Sequence, residues 1–475
     1  MRRTPPIRRG EAGRGYYYGR RIVTGGKGPF SMAAPRWAAE RFSRLVTRYP
    51  TLRHILVLVS GTALAQLVAL GASLITARLF TPEVFGQFAI YGSLTAILIT
   101  VASLRLDMTI MLPEDDDSAR RIAKVATLSN LAVAAGASLL AFLLHGVVVD
   151  IYGSEELASW LPLAGLTIFF VAQVNVLQYW FNRRSDYRTI SLNRVHQTVG
   201  SAGGQVAFGV LGLRSLPGLI AGTLLGQAFA FVNLRRKSRD LLDPVAEDTP
   251  SGLELVSRYR KMPLLNLPTA LVDGIRLNGI PLLIGIVALG AVGQFNMAWR
   301  ILQAPIGLIN SAIAQVFYQK LARVEPGNML RLVRGTMIRS LLIAIVPFGL
   351  IYLTAPWLFL LLLGPQWDMA GDIARALTPW LAMQLVTSPI STVFVVTERQ
   401  GRMLVFSAFF AAVPLGLLYF APWELMTTLT VLGAAMAAML VVMMGMALQV
   451  SREFDRHPPR TTPPPDEAAR RTDDA

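Results

Sequence analysis

The chain has 475 residues, 53% of them hydrophobic and only 16% charged, with a net charge of +16 and no cysteine. Soluble domains carry about 25% charged residues, so this is a membrane composition. Lack of cysteine excludes disulfide scaffolds, thiolate metal sites and cysteine nucleophiles. His54, His145, His196 and His457 lack the spacing of metal ligands, so neither a metal nor another cofactor is expected. The basic residues gather in tails and short connections, where they orient a membrane protein rather than bind nucleic acid.

Residues 1–54 hold thirteen Arg or Lys against two Glu, interleaved with Gly and Pro. They read as a disordered basic cytoplasmic tail, with Met32 as an alternative start. Twelve apolar segments follow, each near the length of about 20 residues that a span requires. They lie near 55–79, 85–106, 122–149, 157–181, 190–211, 215–234, 263–288, 291–318, 335–363, 371–397, 403–421 and 424–449. Residues 451–475, ending in "HPPRTTPPPDEAARRTDDA", read as a second disordered cytoplasmic tail.

The connections after spans two, four, six, eight and ten are rich in Arg and Lys, whereas the others together hold Arg214 alone. By the positive-inside rule both termini are cytoplasmic. The opposite connections carry acids: Glu83, Asp150, Glu155, Glu156, Asp368 and Glu424. The longest interior connection, 235–262, is polar and separates six spans (55–234) from six more (263–450).

The two halves are related in sequence. A shift of 207 residues places Gly86-Gln87-Phe88 on Gly293-Gln294-Phe295, Thr62-Ala63-Leu64 on Thr269-Ala270-Leu271, and Leu70 on Leu277. Six is an even number, so both halves enter the membrane in the same sense. The expected fold is therefore all-α, with two parallel six-helix repeats, an arrangement common among secondary transporters.

Four stretches carry a family resemblance: "RLFTPEVFGQFAIYGSLTAILITVASLRLDMTIMLPEDDDSA", "YRKMPLLNLPTALVD", "AVGQFNMAWRILQAPIGLINSAIAQVFYQKLA" and "GPQWDMAGDIARALTPWLAMQLVTSPISTV". Over about residues 50–450 the chain resembles the O-antigen-type (Wzx-type) oligosaccharide flippases of bacterial polysaccharide biosynthesis. These belong to the multidrug/oligosaccharidyl-lipid/polysaccharide exporter superfamily. The resemblance implies two six-helix bundles around a central cavity, and translocation of an undecaprenyl-diphosphate-linked oligosaccharide from the cytoplasmic to the periplasmic leaflet of the inner membrane. It implies glycosyltransferases and a polysaccharide polymerase as partners, alongside membrane lipids. A drug/cation antiporter of the same superfamily is the alternative, and it would favour an acidic lumen. No Walker A sequence is present, and the short external connections leave no room for a catalytic site, so an enzyme is not expected.

A flippase must pass a charged, hydrated headgroup through an apolar layer, where a lone charge costs several kcal/mol. Polar side chains on one helix face mark where that happens. Asn266, Thr269, Asp273 and Arg276 share a face of the seventh span, and Asn296, Arg300, Gln303, Gly307 and Asn310 share a face of the eighth. Gln66, with Thr62, Ser73 and Thr76, makes an uncharged version in the first span. The 207 offset pairs Gln66 with Asp273 and Ser93 with Arg300, so charge enters only in the second half. Arg300 is expected to bind the diphosphate or an acidic sugar bidentately, with Arg276 second. Asp273 either carries a coupling proton or neutralises Arg276. Arg78, Arg105 and Asp107 read as interfacial or locally paired residues. The acidic run Glu114–Asp117 reads as a helix start. Trp160, Trp180, Trp357, Trp367, Trp380 and Trp423 read as an interfacial belt. Pro263, Pro268, Pro281 and Pro305 interrupt the seventh and eighth spans by removing backbone hydrogen bonds and allowing a bend, so these two helices are expected to move most.

Overall fold

The computed structural model describes residues 50–321, 324, 327–397 and 399–456, and their side chains except at 50–59, 265, 305, 308–316, 318–320, 395 and 400. Met32, Glu398, the Asn310 side chain and the greater part of both tails lie outside the described residues. Twelve helices of twenty residues or more follow in order among the described residues. The first half contributes α1 Pro50–Leu79, α2 Pro82–Ala102, α3 Asp116–Leu143, α4 Ala164–Arg183, α5 Tyr187–Val210 and α6 Leu216–Lys237. The second contributes α7 Lys261–Val287, α8 Leu289–Leu321, α9 Met329–Leu363, α10 Asp368–Ile390, α11 Gln400–Phe420 and α12 Leu425–Arg456. Nine of them are long and apolar enough to cross a membrane, among the described residues. The exceptions are α5, α8 and α10.

Local chemistry sets the helix boundaries. Thr81 caps α2, with Pro82 in the first turn where its missing N–H costs nothing. Asp115 caps α3, its carboxylate accepting from the Ser118 N–H at 2.6 Å. The acidic run is thus a helix start, with Asp116 paired to Arg183 at 3.0 Å and Asp117 to Arg120 at 2.6 Å. Helix α9 takes its cap from afar: Asp455 accepts from the N–H groups of Gly327, Met329 and Leu330 at 3.0, 3.0 and 2.9 Å. The segment expected to begin a tail at residue 451 is therefore helical through Arg456 and anchors another span.

Helices pack closely where side chains are small. In α5 and α6, Gly200 faces Gly226 and Gly204 faces Gly222, and a Cβ on Gly200 or Gly204 would lie 2.9 Å from the opposing Cα. Small residues four apart on facing helices let backbones approach in lipid, where packing rather than the hydrophobic effect drives association. Helix α7 stays continuous through Pro268 and Pro281, and α8 runs unbroken from Leu289 to Leu321. Both helices accommodate their prolines, because neighbouring helices tolerate the missing backbone bonds.

The interior connection also departs from expectation. After α6 it forms a turn at Arg239–Leu242 and a helix at Gly252–Arg258, which burial of Leu241 and Leu255 fixes against the first half. Arg121 donates to the carbonyls of Thr249 and Pro250 at 3.0 and 3.1 Å, and the Trp180 indole N–H to Asp240 at 3.1 Å. Trp180, Trp367 and Trp380 are thus buried, while Trp160, Trp357 and Trp423 are exposed as a belt requires.

Candidate functional site

The halves meet where the repeated triplets lie. A Cβ on Gly86 would sit 1.8 Å from the Leu289 carbonyl oxygen, and one on Gly293 would sit 1.9 Å from that of Pro82. The two glycines thus make the α2–α8 crossing. Each following glutamine ties its helix to the connection between the third and fourth spans of its own half. Gln87 donates to the Ser154 hydroxyl at 3.0 Å. Gln294 donates to the Gln366 carbonyl at 2.8 Å and accepts from the Ala370 N–H at 3.0 Å. From there the Gln366 amide and the Trp367 indole donate to the Ala77 carbonyl at 2.6 and 2.7 Å. Phe80, Phe85 and Trp367 stack edge to face over this junction and are almost wholly buried. The halves are therefore sealed at the end that carries the acidic connections.

Beyond the seal, a cavity of ≈ 220 Å³ separates the halves. Phe88, Ser93, Arg276, Asn296, Trp299 and Trp380 are among its lining residues. The third residue of the first triplet, Phe88, stacks on Tyr91 at 6.3 Å; that of the second, Phe295, stacks on Trp299 at 5.9 Å. Arg276 and Asn296, both anticipated from helical spacing, come together here. Arg276 also pairs with Asp273 at 3.4 Å and lies 5.7 Å from the centre of the Phe410 ring. Both readings of Arg276 describe the same side chain, since it is paired and it lines the cavity.

Arg300 lies one turn beyond Asn296. It is deeply enclosed yet keeps some accessible surface, and among the described residues its guanidinium has no hydrogen-bond or ion-pair partner. Gln66 approaches α8 at Gly307, where a Cβ would lie 3.2 Å from its amide nitrogen. The polar faces of the first and eighth spans therefore meet across the two halves. Gln303 turns instead to Gln384 of α10 at 3.2 Å, and Asn266 to the Met262 sulfur at 3.1 Å, away from the cavity. Ser93, Trp299 and Trp380 complete the lining without having been anticipated; only the alignment of Ser93 with Arg300 had flagged one of them.

Arg78 and Arg105 both lie near span ends, as expected, and neither has an ion-pair partner among the described residues. Arg78 reaches the carbonyls of Leu361 and Leu362 at 3.4 Å, at the C-terminal end of α9. Arg105 follows Leu104 in a break after α2 where both residues are left-handed, with φ of 60° and 49°. Each such residue costs about 1–2 kcal/mol without a glycine. The break turns Arg105 into a polar chamber of ≈ 340 Å³ within the first half, bordered also by Asp107, Asn175, Gln178, Asn182 and Arg194.

The family model for "Polysaccharide biosynthesis protein" matches residues 75–371. Among curated proteins no sequence matches significantly. Among solved structures, the chain is similar to "Lipid II flippase MurJ, inward closed conformation", with TM-score 0.64 and 13% identity over 83% of this chain and 90% of that one. It is also similar to "Inward-facing conformation of a multidrug resistance MATE family transporter of the MOP superfamily", with TM-score 0.59 and 14% identity over 84% and 99%. At these identities the likeness is one of fold: an all-α, multi-pass membrane protein.

Proposed function

Because the chain belongs to the polysaccharide biosynthesis protein family, we propose that it flips an undecaprenyl-diphosphate-linked oligosaccharide from the cytoplasmic to the periplasmic leaflet for O-antigen, capsule or exopolysaccharide assembly. It acts as a carrier rather than an enzyme, in the bacterial inner membrane, with both termini cytoplasmic and its cargo made and consumed by glycosyltransferases and a polymerase.

The observation that carries this reading is Arg300. An enclosed guanidinium without a partner is costly in a membrane, and that cost is offset when an anion binds. A planar fork of N–H donors suits a diphosphate, and the cavity between the halves supplies Arg276 and the Asn296 amide nearby. Aromatic Phe88, Trp299 and Trp380 offer faces on which sugar rings stack. Neutralisation of Asp273 by Arg276 disfavours the cation-antiporter alternative, which needs a free carboxylate. The acidic connections belong on the periplasmic side, so the seal at Gly86 and Gly293 supports a carrier resting closed to the periplasm. Deleting the gene tests the proposal: lipid-linked oligosaccharide should accumulate on the cytoplasmic leaflet, and its normal appearance outside would sink the assignment.

A further inference from the structure

The polar chamber of the first half lies apart from the cavity between the halves, and the two share no lining residue. Its volume falls within the roughly 300–1,000 Å³ typical of small-molecule sites. Two cations face it, Arg105 and Arg194, against one carboxylate, Asp107, which is buried and accepts from the Ser103 hydroxyl at 2.8 Å. Arg194 gives one N–H to the Thr62 hydroxyl at 3.0 Å. The Arg105 guanidinium has no hydrogen-bond or ion-pair partner among the described residues, and its Nε is buried with none. Around these charges stand the amides of Asn175, Gln178 and Asn182, with Tyr179 on the same wall.

Two arginines with surplus donors, amides that both donate and accept, and an aromatic phenol suit one ligand chemistry: an anionic group attached to a polyhydroxylated ring. We propose that this chamber is a second headgroup site, at the cytoplasmic mouth of the first half, binding the phosphate-bearing sugar of the cargo. Arg105 and Arg194 take the anion and the amides take sugar hydroxyls. The placement at the mouth and the lipid-linked source rest on the flippase reading; the anion-binding chemistry does not. A left-handed backbone at Leu104 and Arg105 is retained because it aims the guanidinium inward.

The cysteine-free chain allows a direct test. Ile190→Cys, at a lining position that binds nothing in the proposal, places one thiol in the chamber of the full-length protein in lipid nanodiscs, and its rate of reaction with N-ethylmaleimide is followed. Farnesyl diphosphate should slow labelling about tenfold, as expected for a charge-assisted contact that covers the thiol. The protection should vanish when Arg105→Gln and Arg194→Gln are added, persist with Arg300→Gln, and persist in part with Arg105→Lys, all in monodisperse protein. Inorganic pyrophosphate protecting as well would support recognition of the anion itself. Equal protection in the double-Gln protein, or none in the parent, would overturn the site. Protection by uridine diphosphate glucose alone would overturn the lipid-linked source. Protection in a protein whose gene deletion traps no lipid-linked oligosaccharide would leave the site standing and remove the flippase reading.

Discussion

In the first half Gly86, Gln87 and Phe88 lie early in α2, and in the second Gly293, Gln294 and Phe295 lie early in α8. The glycines press each helix against the other half, the glutamines clamp each helix to its own half, and the phenylalanines stack at the edge of the cavity. The likeness ends with the triplets, and five residues past them Ser93 stands in α2 where Arg300 stands in α8. The frame is shared between the halves, while the charges are not: at the 207 offset Arg276 and Arg300 have no basic counterpart in the first half, and Arg105 and Arg194 none in the second. Such division fits the proposed carrier, whose halves open and close as equals while each offers its own arginines to the anionic headgroup.

The sharpest way to break this comparison is to erase the difference. Arg300→Ala should lower surface polysaccharide by at least about a hundredfold, since a bidentate charge-assisted pair contributes about 3 kcal/mol or more. Immunoblotting of membranes should show the variant inserted at normal level. Arg300→Lys should keep part of the output if charge suffices and little if the planar fork matters. Normal polysaccharide with alanine would show that the enclosed charge is structural.

The shared frame is tested by Gly86→Val and Gly293→Val. Each new Cβ would meet a backbone carbonyl at 1.8 or 1.9 Å, which no side-chain rotation relieves. Overpacking of this kind costs about 1–3 kcal/mol or somewhat more, so both variants should unfold at clearly lower temperature and by similar amounts. A variant that melts like the parent would show that the crossing is not the symmetric seal it is taken to be.

Much of this frame was legible in the chain itself. Spans announce themselves by apolar length, and all twelve segments fall on the twelve long helices among the described residues. Gly86 and Gly293 were found from the repeat, though not that they touch. Of the residues that helical spacing named, Arg276 and Asn296 line the cavity, because one face of one helix fixes a direction, while Gln303 and Asn266 bond to partners that spacing could not foresee. What stayed hidden depends on residues far apart in the chain. Arg105 acquires a role from a left-handed break and from residues of α4 and α5, Trp367 from Ala77, and α9 from Asp455.

Within the frame the two glutamines differ in a measurable way. Gln294 uses both ends of its amide, whereas the Gln87 carbonyl oxygen is buried without a partner among the described residues. Removing Gln294 strands a carbonyl and an N–H, so Gln294→Ala should destabilise by about 2–3 kcal/mol and Gln87→Ala by about 1 kcal/mol or less. Equal losses in denaturation would mean that the second clamp adds nothing to the first.

The smallest effect concerns the third span of each half. Helix α3 is capped by Asp115 from within its own turn, while α9 is capped by Asp455 from the end of the chain's last span. Bonding from the Ser118 N–H, before any help from Arg183, holds the Asp115 carboxyl below the usual carboxylate range. A depressed carboxylate contributes stability that is full above its unfolded-state value and is lost as pH falls through the folded one. Hydrogen exchange at the Ser118 amide, corrected for intrinsic rates, should therefore lose protection on acidification, and Asp115→Asn should flatten that dependence while keeping a cap. Asp455→Ala should loosen the Leu330 amide at neutral pH by about 1 kcal/mol and leave Ser118 untouched. Loosening of both amides by that one change would show that the two ends are coupled, and that the halves do not hold their third spans independently.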